Sequence, residues 1–229
     1  MRYVISALLA GAVALALVLH LAWLVRASRS RSLAALAADE ASVRAVITDA
    51  ANISDGTAGV VTWAGSWNGR RVQVRTIIDT LATRKLPTRW LSISITESVA
   101  VSGTFDMMMR PGSPTTFSNF DHLDHTLPKA TGFPAEAVLR TDRETVGFPL
   151  DIIADHLDMF ADGRAKELLI TPNGVRIVWL LAESERARYG VFRQAEFGDS
   201  RFDPVLIERL LASASALRDA INHAERRAA

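Results

Sequence analysis

From Tyr3 to Val25 the chain runs for 23 residues without Asp, Glu, Lys, Arg, Pro or Asn. A helix of that length reaches roughly 34 Å at about 1.5 Å per residue, against a hydrocarbon core of about 30 Å. A cleaved signal peptide would have a shorter apolar region, of about 7–15 residues, followed by a small-x-small site. Here the run is longer and ends in Leu24-Val25-Arg26. The expectation is therefore a retained transmembrane anchor over 1–27, a juxtamembrane helix and linker over 28–55, and a globular domain over 56–229. Arg2 flanks one side of the run, whereas Arg26, Arg29, Arg31 and, further off, Arg44 flank the other. The bias of flanking cations then places the C-terminal domain in the cytoplasm, on a single-pass protein of the inner (cytoplasmic) membrane.

His20 is the polar oddity of that run. Its bland reading is an interfacial histidine, six positions before Arg26 and about 9 Å along the axis. The sharper reading is an axial ligand, since neutral imidazole suits haem iron or a chlorophyll magnesium. The stretch Ala16-Leu17-Val18-Leu19-His20-Leu21-Ala22-Trp23 resembles the pigment-binding helix of bacterial light-harvesting antenna β polypeptides. There a small residue four before the histidine makes room for the macrocycle, and an aromatic follows. The resemblance implies bacteriochlorophyll, or failing that haem, held at His20 in a subunit of a photosynthetic or respiratory membrane complex.

Leu33 to Ala51 is Ala-rich, lacks Gly and Pro, and places Leu33, Leu36, Val43, Ile47 and Ala50 on one stripe broken by Glu40. That predicts a stalk helix, with self-association through the stripe as its sharper variant. Asn52 to Gly59 reads as a linker.

The body reads as an α+β domain. Val60 to Ile78 alternates around Asn68-Gly69, the pair that a tight type I′ hairpin prefers. Trp90 to Ile95, with Val99 and Val101 beyond, and Phe105 to Met109 are further strand candidates, Ala135 to Thr141 reads as a strand or a short turn, and Thr115 to Phe133 has the polarity of a long loop. Lys166 to Leu181 is a second hairpin around Thr171-Pro172-Asn173-Gly174, and Phe192 to Phe197 is a candidate edge strand. Phe148 to Ala161 predicts a helix with Leu150, Ile153, Leu157 and Phe160 on one face. Asp203 and Pro204 open a closing helix with a broad apolar stripe. The sum is a mostly antiparallel sheet of about six to eight strands, packed with two or three helices.

Few patterns here carry chemistry. The chain has no cysteine, which excludes disulfides, thiolate metal sites and cysteine nucleophiles. Lys plus Arg number 26 and Asp plus Glu 25, so the basic excess of a dedicated nucleic-acid binder is missing. Asp121-His122-Leu123-Asp124-His125 is the densest ligand-like run and would serve a metal-dependent hydrolase. On a loop, however, its spacing does not force convergence, and solvated side chains are the expected reading. Asp151, Asp155, Asp158 and Asp162, with His156 beside them, read as a solvated helix face. Arg70, Arg71 and Arg75 make a modest basic patch. Trp63, Trp67, Trp90 and Trp179 lie in strand-like runs, where core packing explains at least three of them. No nucleophile elbow, phosphate loop or dinucleotide turn is present.

Three stretches together resemble a diffuse group of uncharacterised, membrane-anchored bacterial proteins with a C-terminal α+β domain. They are Gly65-Ser66-Trp67-Asn68-Gly69-Arg70-Arg71-Val72, Leu168 to Ile177, and the helix from Asp203. The resemblance implies the architecture and no activity. The expected function is a non-catalytic accessory or scaffold subunit, in contact with the bilayer and with the subunits of an integral membrane complex. No catalytic residue, no metal and no nucleic-acid partner are assigned.

Overall fold

Alternating apolar and polar residues build most of this molecule, because a strand with that pattern buries one face and leaves the other for polar side chains. The computed structural model describes residues 2–80, 86–112, 115–144, 147–186, 189, 195, 197–198 and 200–228. Nine strands form one antiparallel sheet: β1 (Thr48–Asn52), β2 (Val60–Trp67), β3 (Arg70–Asp79), β4 (Thr88–Ile95), β5 (Phe105–Met109), β6 (His125–Leu127), β7 (Ala137–Thr141), β8 (Ala165–Thr171) and β9 (Gly174–Glu183). Their order across the sheet is β1-β2-β3-β4-β9-β8-β5-β7-β6. Among the described residues three α-helices accompany them: α1 (Arg2–Val46), α2 (Leu150–Ala154) and α3 (Pro204–Ala228). Two 3-10 turns lie at Phe120–His122 and Asp158–Asp162.

The two expected hairpins are present. Asn68 at φ 49° and Gly69 at φ 76° supply the left-handed pair that joins β2 to β3. Asp203 caps α3, accepting from the Val205 amide at 2.9 Å. The stripe of that helix, Ile207, Leu210, Leu211, Ala214, Leu217 and Ile221, is buried against β4 and β9 together with Ile93, Ile177 and Trp179. The opposite face of the sheet carries a second, smaller cluster of Ile77, Trp90, Met108, Phe117, Phe120 and Val178. This cluster sits partly under the connection between β5 and β6, which carries Phe117 and Phe120.

Several expectations are corrected. The α+β architecture with a single N-terminal transmembrane helix gives way to a mostly β fold, a nine-stranded sheet with few helices. Among the described residues no helix is long and apolar enough to cross a membrane. The transmembrane, single-pass assignment is overturned with it, and so is the location in the inner (cytoplasmic) membrane with a cytoplasmic domain. The helix expected over Phe148–Ala161 is broken. Leu157, at φ −99° and ψ 10°, leaves the α conformation after α2 and the chain tightens into the 3-10 turn. Val99 and Val101 lie outside any strand. The stalk helix ends at Val46, and residues 48–52 pair with β2 as a strand. The Phe192–Phe197 candidate lies outside the described residues.

The chain divides into two units, Met1–Ala41 and Ser42–Ala229. The second contains the whole sheet and its core, beginning with Val43 and Ile47.

Candidate functional site

Polar groups gather on the second face of the sheet, where β5, β8 and β9 run side by side. Asp106 on β5 stands opposite Leu169 on β8 and Arg140 on β7. Leu169 in turn stands opposite Arg176 on β9. Glu167 lies one pleat away on β8, diagonal to both Asp106 and Arg176, and diagonal neighbours on a sheet are within reach of long side chains.

A bulge sets this arrangement. Ala165 pairs with Trp179 and Glu167 with Val178, so Lys166 is an extra residue on β8. A bulge re-aims the residues around it. Here it lets Ala165 stay in the main core, while Glu167 follows the regular alternation with Leu168 and Ile170 that puts it on the second face. Lys166 Nζ donates to the carbonyls of Met109 at 2.5 Å and Arg110 at 3.0 Å, which fixes the bulge to the end of β5.

Asp106 is 1% exposed and Glu167 is fully buried. Arg176 donates to Glu167 Oε2 through Nε at 3.1 Å and Nη2 at 2.8 Å, a forked charge-assisted pair. Glu167 Oε1 and Asp106 Oδ1 are buried and lack a hydrogen-bond partner as ionised groups. Two carboxylates cannot bond to each other, but a protonated carboxyl can donate to a carboxylate. Burial first, then the charge of Glu167, push the Asp106 carboxyl up to about 8 from 3.8. Arg176 opposes the rise, and a hydrogen bond with Glu167 adds to it. At neutral pH Asp106 is therefore mostly a neutral acid, and its proton satisfies oxygens that would otherwise be orphaned.

The cover over this face is built from Phe117 to Leu123. Phe117 meets Trp90 edge-on at 5.1 Å. Phe120 lies 4.7 Å beneath the Arg140 guanidinium, and Arg140 Nη1 donates to the Phe120 carbonyl at 3.1 Å. Asp121 is 3.9 Å from the same guanidinium. The acid pair thus lies in a place closed to solvent beneath this cover.

The residues singled out in the sequence do not assemble into a site. His20 lies on α1 with its ring stacked on Trp23 at 6.0 Å. Asp121 and His122 fall on the 3-10 turn, Asp124 follows it and His125 opens β6. Among the described residues no group of three or more His, Asp or Glu is placed to hold a metal ion. The aspartates at 151 and 155 belong to α2 and its end, those at 158 and 162 to the 3-10 turn, and all four are exposed. His156 Nδ1 lies 2.9 Å from the Ile152 carbonyl. Arg70 pairs with Glu97 at 3.2 Å and Asp219 at 2.6 Å, and Arg75 donates to Thr62 Oγ1 at 3.1 Å, so the basic patch is largely engaged within the fold. Trp63, Trp90 and Trp179 are buried and Trp67 is partly so.

A pocket of about 410 Å³ opens at the start of α3 between Asp162, Arg164, Trp179, Asp203, Val205, Leu206 and Arg209. Its two arginines face two aspartates, Arg209 already stacks over Trp179 at 5.3 Å, and Asp203 already accepts the first free amide of the helix. Its two arginines and two aspartates leave it without a net charge.

Sequence reasoning missed Asp106, Glu167 and Arg176. The signal available was a lone acid inside Phe105-Asp106-Met107-Met108-Met109, which alternation alone assigns to solvent.

No family model matches the chain, and no curated protein matches it. Among solved structures, the crystal structure of the mycobacterial trehalose monomycolate transport factor A, TtfA, is similar at 11% identity and a TM-score of 0.39, over 73% of this chain and 74% of that one. A likeness that slight transfers no role.

Proposed function

We propose that this protein is a non-catalytic accessory or scaffold subunit of a larger protein assembly, docked through the apolar part of α1. The observation that carries the reading is the run Leu15, Leu17, Val18, Leu19, Leu21, Trp23, Leu24 and Val25, all exposed, with Leu17 at 58%, Leu21 at 59% and Trp23 at 62%. Consecutive helical positions point in all directions around the axis, so apart from His20 this stretch is apolar all round. A contiguous surface of that kind is unfavourable in water and marks a place that another molecule covers. Apolar helices of a partner chain fit it by ridge-into-groove packing.

The test uses the full chain with a C-terminal tag, purified under mild conditions and sized by light scattering. A complex of fixed stoichiometry with the same partner in every preparation is expected. The double substitution Leu17→Glu and Leu21→Glu releases a free chain from it. Migration of the unmodified chain as a free small protein would sink the reading. So would an unchanged complex with the double variant, or capture by protein-free lipid vesicles in place of a protein partner.

A further inference from the structure

We propose that the Asp106–Glu167 acid pair is a proton-operated latch for the Phe117–Leu123 cover: with the proton in place the cover stays down on the second face of the sheet, and without it the cover lifts. This goes beyond the scaffold reading and stands independently of it. The geometry carries the argument. Two carboxyl groups lie in one buried place, each with an oxygen lacking any other partner, and only a proton between them satisfies both. The cover that seals them rests on the second cluster through Phe117 and Phe120, with Asp121 3.9 Å from the Arg140 guanidinium, and its named ring and polar anchors are few. These are the Phe117–Trp90 edge contact, the Phe120–Arg140 stack and bond, and Ser118, whose hydroxyl bonds to Asp106 and accepts from the Phe120 amide at 3.0 Å. Such thinly anchored segments are the ones that open locally.

The charged and titratable groups facing the pair are these. Arg176 comes from β9 and is already forked onto Glu167. Arg140 comes from β7, opposite Asp106, and is shared with Phe120 and Asp121. Asp121 and His122 come from the cover itself, and both are exposed. Arg176 supplies one positive charge for one carboxylate. A second buried carboxylate exceeds that supply, and hydration of the lifted state is then its relief.

The direction follows from linkage. Burial and the charge of Glu167 raise the Asp106 carboxyl to about 8 with the cover down, and water reaching it brings it back toward its ordinary 3.8. The closed state therefore binds the proton more tightly. Its advantage is complete below about pH 4, declines as pH rises, and is lost on passing about pH 8.

Hydrogen exchange of the full chain between pH 5.5 and 8.5, corrected for intrinsic rates, tests this. The His122 and Leu123 amides are bonded only within the cover, to the Asn119 and Phe120 carbonyls, and they report its opening. Their protection is expected to fall at least tenfold across that range, while amides of the β2–β3 hairpin hold constant. Asp106→Asn, which keeps a neutral donor, is expected to flatten the profile at the low-pH level. A wild-type profile without the fall, or an Asp106→Asn profile that keeps it, overturns the proposal. If Asp106→Asn does not fold, carbon NMR of labelled aspartates in the unmodified chain decides. The Asp106 carboxyl must titrate with its inflection well above the ordinary aspartate range and within the span where protection falls, and a titration near 4 overturns the latch.

Discussion

Glu167 shows how one residue can be held by a single neighbour. Its side chain is fully buried, and among the described residues the cation paired with it is Arg176 at 2.8 Å, itself about a quarter exposed. Removing one partner of a buried ion pair leaves a charge in a poorly polarisable place, which costs about 3–5 kcal/mol, far more than an exposed pair is worth. Arg176→Met should therefore lower the free energy of unfolding by roughly that amount at pH 7, read from urea denaturation. Adding Glu167→Gln should restore most of it, because a neutral amide no longer needs the cation. A double variant as unstable as the single one would show that Arg176 acts through packing instead. None of this was legible beforehand. Lys166-Glu167-Leu168 reads as an ordinary strand with a solvent-facing acid; alternation does place Glu167 on the face opposite Leu168 and Ile170, but it cannot show that this second face is covered as well.

Elements were more legible than sites, for a physical reason. A hairpin writes its turn locally, so Asn68-Gly69 and Pro172-Asn173-Gly174 identify their turns from sequence alone. Leu150, Ile153, Leu157 and Phe160 were also read correctly as inward-facing in kind, since the last three are buried. Their spacing could not reveal that the backbone changes from α to 3-10 between them, because the two turns bury similar positions. The second hairpin also depends on a close approach that no turn rule contains. A Cβ at Gly174 would meet the backbone carbonyl oxygen of Ile95 on the neighbouring strand β4, an atom that cannot rotate aside. Gly174→Ala should thus push β9 away from β4 at that end and cost on the order of 1–3 kcal/mol, the range of overpacking. Asn173→Ala, in the same turn and exposed, is the control and should cost under about 1 kcal/mol. Equal losses in thermal unfolding would place the effect in the turn rather than in the approach of Gly174 to β4.

At the scale of the whole molecule the question is where the folded body begins. The linker composition of Asn52 to Gly59 suggests a start at 56, because Asn, Ser, Asp and Gly say nothing about what precedes them. The contact pattern divides the chain at Ser42 instead. Val43, Ile47 and Ala50 are buried in the main core, and Ala51 and Asn52 pair with Ala64 and Trp63. Gly65 is shaped to this segment. A Cβ there would fall 2.5 Å from Ile47 Cγ2 and 2.6 Å from the Thr48 carbonyl. Burying each large aliphatic side chain contributes about 1.5–3 kcal/mol, so losing Val43 and Ile47 along with β1 removes a large share of a stability that is typically about 5–15 kcal/mol. A chain of residues 42–229 should therefore keep the unfolding midpoint of the full chain to within a few degrees, whereas 56–229 should melt much lower or fail to fold. The same 42–229 chain lacks the exposed apolar run of α1 and should be monomeric without its partner. If 42–229 were as unstable as 56–229, the core would need residues before Ser42. If 56–229 matched the full chain, β1 and its two aliphatic anchors would be dispensable, and the close fit around Gly65 would have no energetic weight.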